Sequence, residues 1–406
     1  MDSGAFAWAI TATALVLFMT PGLAFFYGGL VKAKSVVSMM MMSFGALGLV
    51  AVLWILYGAN MSAVDGVWAF AGNPFSDFGL AELTGDSEGL VGVAFGATFA
   101  IITTALISGA IADRAQFGSW MLFAGIWATV VYFPVAAWVW GGGWILNLGT
   151  SMGFSTEVID YAGGTAVHIN AGAAALALSL VLGKRIGFQK GIQKPHNVPL
   201  VLLGAAILWF GWFGFNAGAQ YSGDFSGAGL IVLNTIGATA AAVIGWIVVE
   251  KIKDGKATSV GAASGAVAGL VAITPSCANL APGWALLLGV LAGALCALAV
   301  ELKFKLRYDD SLDVVGIHLV GGLLGTIYLG FFAIDTGLFL GGGFEQLILQ
   351  VIAALAVLAY SFVVALVLGL AIEKTIGFRV RDEDEIAGVD TVVHGEEGYV
   401  LADRIA

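Results

Sequence analysis

Charge is scarce in this sequence: only 11% of its 406 residues are Asp, Glu, Lys or Arg, and 59% are hydrophobic. A water-soluble domain carries roughly 25% charged residues. The scarcity, with a mean hydropathy of +0.95, excludes a soluble core as the destination of so much apolar surface, so the solvent is a bilayer. Cysteine is nearly absent. Cys277 falls in a predicted loop and Cys296 inside an apolar run, which excludes a disulfide framework. No basic stretch precedes the first apolar run, which begins almost at Met1 and is long enough to span, so no cleavable signal peptide is expected. No segment resembles the TVGYG carbonyl filter, which argues against a potassium channel. No kinase or nucleotide-binding module follows the last apolar run. The net charge of −10 says little about partners, because location matters more than size, and no nucleic-acid partner is expected. Glycine, by contrast, is abundant at 58 residues, as suits helices that approach closely in a membrane.

Apolar runs long enough to be candidate spans lie near 6–30, 36–59, 90–111, 117–139, 162–182, 199–220, 227–249, 258–273, 284–302, 314–333 and 346–372, the eighth short and stopped by Pro275. The fold class expected is an all-α integral membrane protein with eleven transmembrane helices. With the N-terminus outside and the C-terminus inside, all 17 Lys and Arg residues fall in inner segments, from Lys32 to Arg404, as the positive-inside rule requires. The outer loop 60–89 carries only acids: Asp65, Asp77, Glu82, Asp86 and Glu88. Residues 1–373 form the membrane domain. Residues 374–406 form a cytoplasmic C-terminal tail. Eleven spans divide into two inverted five-helix repeats, about 5–183 and 199–333, plus a final helix at 346–372.

That division pairs the fifth and tenth spans, and these carry His168 and His318, two of only four histidines. Each span opens with an aspartate at a plausible N-cap, Asp160 and Asp313. His168 sits about 12 Å from the outer end of its helix and His318 about 7.5 Å from the inner end of its own, so the rings can meet at mid-depth. Ionisable groups inside spans are expensive and usually functional. One reading is plain helix packing, each ring bonded to a backbone carbonyl. Another is bis-histidine ligation of a haem between helices. A metal site is weaker, because no third ligand lies nearby on these spans. A further reading is a narrow pore, in which neutral imidazoles donate and accept hydrogen bonds in a row, hold a small polar molecule and can relay a proton.

The aromatics favour the pore. "VWGGGW" puts Trp140 at the outer end of the fourth span. "FGATF" puts Phe95 and Phe99 in the third, and "LWFGWFGFNAGA" puts Trp212 and Phe215 in the outer half of the sixth. Rings facing a vestibule attract a cation by roughly 0.5–2 kcal/mol each. A cation held by rings, followed by a passage with two neutral imidazoles, suits ammonium, which can shed a proton and cross at least partly as ammonia. Potassium cannot.

At this point the sequence resembles the ammonium transporter family (Amt/Mep/Rh), over essentially the whole chain. The matching segments are "TALVLFMTPGLAFFYGGLVKAKS", "VWGGGW", "DYAGGTAVHINAG", "KPHNVPL", "GWFGFNAG", "DVVGIHLVGG" and "GVDTVVHGEEGY". The resemblance implies a transporter rather than an enzyme, a homotrimer with one pore per subunit, and a multi-pass location in the cytoplasmic (inner) membrane. It implies ammonium as substrate, methylammonium as its analogue, and no cofactor. By position, His168 and His318 match the paired pore histidines, with Trp212, Phe26 and Tyr27 as further pore residues. Trp140, Phe99 and Phe215 match the outer recruitment site, the two phenylalanines forming its gate, and Asp160 matches the aspartate that organises it. Bacterial members usually carry a serine where this chain has Ala219, so the recruitment site lacks that hydroxyl acceptor. Gly261, Gly265 and Gly269 form a small-residue row that serves helix packing. The "RDEDE" run at 381–385 reads as a solvated face. In the family, the tail packs on the inner pore mouths and a PII-type signalling protein docks there.

Overall fold

The structure, a computed structural model, describes residues 1–189, 194–223 and 225–399. Among the described residues, ten helices are long and apolar enough to cross a membrane: α1 Ser3–Leu30, α2 Ala33–Met61, α3 Ser87–Ile111, α4 Phe117–Val139, α5 Gly164–Leu182, α6 Val198–Ser222, α7 Ala228–Asp254, α9 Pro282–Leu306, α10 Val315–Phe332 and α11 Glu345–Thr375. Between α7 and α9 lies the shorter apolar helix α8, Ser259–Ile273. Its 15 residues rise about 22 Å, less than a hydrocarbon core of about 30 Å. It is nearly all buried, from Ala263 to Ile273, and ends at Thr274 and Pro275. No strand occurs among the described residues, only an isolated bridge between Ala115 and Arg379.

Helices dominate because in lipid each backbone N–H and C=O must find its partner within the segment. Their starts carry polar caps where the chain leaves the apolar layer. Asp2 accepts from Ala5 N–H, Asp86 from Glu88 and Gly89, Asn197 from Leu200, and Thr258 from Gly261. Aliphatic side chains such as Leu355, Val363 and Val367 on α11 and Ile244 on α7 stay exposed, as they can where lipid or another apolar surface is the neighbour.

α5 and α10 cross at close range, and the crossing is reciprocal. Gly172, four residues after His168, lies against Leu319; a Cβ there would sit 2.6 Å from the Leu319 backbone nitrogen. Gly322, four residues after His318, lies against the Cβ of His168 and Ile169. Each histidine also sits in a π-helical turn, Gly164–Ile169 and Val315–Leu319. Such turns are rare and concentrate at functional sites.

After α11 the chain folds back over one end of the bundle. Phe378 is fully buried, Gln116 N–H donates to its carbonyl at 2.8 Å, and Val380 N–H donates to Arg114 O at 2.9 Å. Arg379 donates to the carbonyls of Leu182 and Lys184, Lys34 Nζ donates to Ile386 O, and Asp390 accepts from Val37 and Ser38 N–H at 3.0 and 2.7 Å. The acidic run is therefore only partly solvated. Asp382 and Glu383 are exposed, but Glu385 is buried, bonded to Arg379 and to Ile186 N–H. This corrects the reading of 381–385 as a solvated face. Residues 400–406 of the expected tail lie outside the described residues.

Candidate functional site

The site begins at "DYAGG". Asp160 is buried and its carboxylate is saturated. Oδ1 accepts from Gly163 N–H at 2.9 Å and Gly164 N–H at 2.5 Å; Oδ2 accepts from Thr165 N–H at 2.8 Å, Ala166 N–H at 3.2 Å and the Thr165 hydroxyl. The chain can curl round one carboxylate because Gly163 takes φ +117°. Burial pushes the Asp160 carboxyl above its ordinary range, and the bonds from Thr165, Ala166 and Gly164 oppose that rise. The expected N-cap at the head of α5 is present, and it satisfies four N–H groups that the helix start leaves orphaned.

The same residue orients Trp140, whose indole N–H donates to Asp160 O at 2.9 Å. Phe99 meets Trp140 edge-on with centroids 6.0 Å apart. Phe99 and Phe215 stack at 4.2 Å, 19° from parallel. Rings from α3, the end of α4 and α6 thus converge, as their positions in sequence required. They border a vestibule of about 520 Å³ that Ala219 also lines. Tyr132, Tyr161, Tyr221 and Ser222 line the same cavity; they were not singled out from sequence, where a tyrosine at a helix end gives no signal of its orientation.

Beneath the stacked phenylalanines lie the histidines. His168 Nδ1 and His318 Nδ1 are 3.3 Å apart. One must donate and the other accept, so at least one ring is neutral. Trp212 stacks on His168 at 5.6 Å, its indole N–H donating to Thr274 Oγ1 at 2.9 Å. Phe215 lies 6.2 Å from His168 and 5.3 Å from Trp212, on the same side of the imidazole. His168 Nε2 is buried without a hydrogen-bond partner. Phe26, Trp212, Phe215 and both histidines line a cavity of about 10 Å³, the amount one water-sized molecule needs. The rings are in direct contact, so a haem between them would require the two helices to part. Tyr27 is not among the lining residues: its hydroxyl donates to Leu106 O at 3.0 Å, behind Phe26. No group of three or more potential metal ligands occurs among the described residues.

The head of α10 differs from the sequence reading. Asp310, not Asp313, caps it, with Oδ2 accepting from Val315 N–H at 2.7 Å. Asp313 has left-handed backbone, φ +65°, and its carboxylate takes Lys303 Nζ at 2.6 Å instead. The signal was available, because Asp310 precedes His318 by the same eight residues that separate Asp160 from His168. Burial pushes the Asp310 carboxyl up to about 6, with Lys303 opposing and Asp313 adding to the rise. Asp309 beside it grips Arg185 through two side-chain bonds of 2.9 Å each. Burial alone would raise Asp309, but the hydrogen bonds and charge of Arg185, with the charge of Arg114, hold it below the usual range. Lys303, Asp313, Arg185, Ser311, Leu312 and Leu30 are among the residues lining a second, charged cavity of about 260 Å³ at this end.

With this geometry in hand, the relatives decide the family. The Ammonium Transporter Family profile matches residues 7–399. The chain belongs to the ammonium transporter family. Proteins named ammonium transporter from Mycobacterium tuberculosis and Aquifex aeolicus are 51% and 43% identical, over 99% of this chain and 91% and 94% of their own. Among solved structures, Mep2 of Candida albicans superposes with a TM-score of 0.86 at 32% identity, covering 95% of this chain and 88% of its own. A structure described as a sensor Amt protein gives 0.87 at 26% identity, covering 96% and 97%. This family member is thus a multi-pass membrane protein.

Proposed function

We propose that this protein carries ammonium across the membrane through the passage from the Trp140 vestibule past His168 and His318. The observation that carries the reading is the buried, partnerless Nε2 of His168 beside a shared Nδ1 contact. A buried polar nitrogen left unpaired costs about 1–3 kcal/mol, and a small hydrogen-bonding molecule in the one-molecule cavity supplies the missing partner. The names of relatives, ammonium transporters, support ammonium as the source of that molecule.

Recruitment falls to Trp140, Phe99 and Phe215, whose faces attract a cation by roughly 0.5–2 kcal/mol each. Asp160 holds Trp140 and the α5 backbone in place through its own bonds. Ala219 borders the vestibule and offers no hydroxyl, so the ion relies there on rings, backbone and water. The stacked Phe99 and Phe215 act as a gate. Ammonium gives up its proton on entry, and ammonia passes Trp212, His168, His318 and Phe26. The proton crosses by relay through the shared Nδ1 contact of the two imidazoles, and the two recombine on the inner side, so one charge moves per molecule carried. Two neutral imidazoles serve this passage because each can donate or accept without a permanent charge.

The topology belongs to the same reading. Eleven helices cross, α8 among them, with the N-terminus outside and the tail inside. α1–α5 and α6–α10 are inverted repeats; the reciprocal Gly172 and Gly322 crossing and the two eight-residue Asp–His spacings support this. The location is the cytoplasmic membrane, the assembly a homotrimer, and the folded tail the platform for a PII-type protein.

The test is current on a solid-supported membrane bearing proteoliposomes after an ammonium pulse, with caesium as control. A current for ammonium alone is expected. Ammonia uptake without current would identify a passive ammonia channel, and no response of either kind would remove the transport reading.

A further inference from the structure

We infer that Lys303 is a tethered cation that fills a monovalent-cation site at the inner mouth of the passage, between Asp310 and Asp313, and denies that site to potassium-sized ions. The inference rests on the transport reading above.

Lys303 stands on the last turn of α9, where a lysine ordinarily extends its ammonium into the aqueous layer. Here it turns inward and is buried, 8% exposed. Its Nζ donates to Asp310 O at 2.9 Å and to Asp313 Oδ1 at 2.6 Å, and lies 5.4 Å from the Phe304 ring centroid. A carbonyl oxygen, a carboxylate oxygen and an aromatic face are ligands that a free ammonium or potassium ion would also accept. A second observation marks the place as a cation site: Asp310 Oδ1, in a residue 1% exposed, has no partner.

The position is close to the histidine cavity. Leu30, which lines the Lys303 cavity, is one helical turn beyond Phe26 on α1, and Phe26 lines the histidine cavity. Asp310 also caps the turn that carries His318. A vacant pair of carboxylates there would draw metal cations from the cytoplasm to the base of the passage. A fixed ammonium group takes both the room and the charge, while neutral ammonia is not repelled by it. Fixed cations in pores exclude permeant cations by this electrostatic barrier.

Potassium-pulse currents and rubidium binding to the purified protein test this in wild type, Lys303→Gln, Lys303→Arg and the double variant Lys303→Gln/Asp313→Asn. The wild type and Lys303→Arg are expected to be silent to potassium. Lys303→Gln is expected to raise potassium responses and rubidium binding about tenfold above the wild-type background, equivalent to about 1.4 kcal/mol, and the double variant to fall back toward that background. Lys303→Met, which keeps the apolar stem, takes the place of Lys303→Gln if the latter does not elute as the wild type does. A folded Lys303→Gln that neither binds rubidium nor passes potassium overturns the inference. A leak that persists in the double variant also overturns it, because the leak then owes nothing to the acceptor. A wild type without ammonium current defeats the transport reading instead, and rubidium binding still decides the site.

Discussion

Asp160 and Asp310 stand eight residues before the two histidines, and the chain holds them differently. Asp160 has both oxygens engaged, by four backbone N–H groups and a hydroxyl. Asp310 caps with one oxygen and leaves the other bare. The first lies beside an aromatic vestibule with no fixed cation among its lining residues. The second lies beside Lys303, Asp313 and the Arg185–Asp309 pair. Both aspartates cap the turn that carries a histidine, and their surroundings differ: aromatic rings line the cavity near the first, and Lys303 is seated on Asp310 O and Asp313 near the second.

The largest effect that breaks this comparison is expected from Asp160→Asn. An amide offers one acceptor oxygen and turns two N–H donors toward backbone groups that also donate. Several buried N–H groups at the head of α5 are then stranded, at about 3 kcal/mol or more in sum. Thermal unfolding in detergent should drop by several degrees and ammonium current should collapse. A variant with wild-type melting and current would show that the saturated carboxylate is not what holds the α5 head.

Asp310→Asn should do the opposite. Its oxygen can still accept from Val315 N–H, and it removes a buried charge. The folded pKa of about 6 lies above the ordinary Asp value of about 3.9, so folding favours the protonated form. That contribution is fully present below pH 4 and is lost as pH rises through about 6. Asp310→Asn should therefore exceed the wild type by about 1–3 kcal/mol at pH 7.5 and match it near pH 4. Melting temperatures across that range check the sign; a variant less stable at pH 7.5 refutes the assignment.

The smallest effect concerns the vestibule. Ala219→Ser adds an acceptor beside the rings, a charge-assisted bond of roughly 1.5–3 kcal/mol when well placed, part of which replaces water. The ammonium concentration for half-maximal current should fall about tenfold, or 1.4 kcal/mol, with little change in maximal current. An unchanged half-saturation would mean that the missing hydroxyl does not limit recruitment.

Much of this was legible in the letters. Apolar runs marked helix ends closely, as at 117–139 for α4 and 258–273 for α8, because lipid leaves the backbone few alternatives to a helix. Phe99, Trp140 and Phe215 were read as one site and do converge, although only Trp140 stands at a helix end and Phe99 lies midway along α3. The α10 cap was misread because Asp309, Asp310 and Asp313 all precede His318 closely, and only backbone shape separates them: φ +65° at Asp313 sends its side chain to Lys303. The π-helical turns at the two histidines carry no residue signature that the sequence reading could use. Glu385 looked like a solvated tail charge. It is buried because the tail folds back and seats it between the Arg379 guanidinium and the Ile186 N–H of the loop after α5, a tertiary fact that a charge run does not reveal.

The most direct test of the account is selective ammonium current, against a caesium control, in His168→Ala, His318→Ala and the double variant. The rings share one contact of 3.3 Å, so removing either strands the other in a cavity with room for one small molecule, at about 1–3 kcal/mol. Each single change is predicted to damage selective transport about as badly as both together, the non-additivity expected of residues in contact. Full ammonium current with unchanged selectivity in both single variants would contradict the account and return the histidines to a packing role.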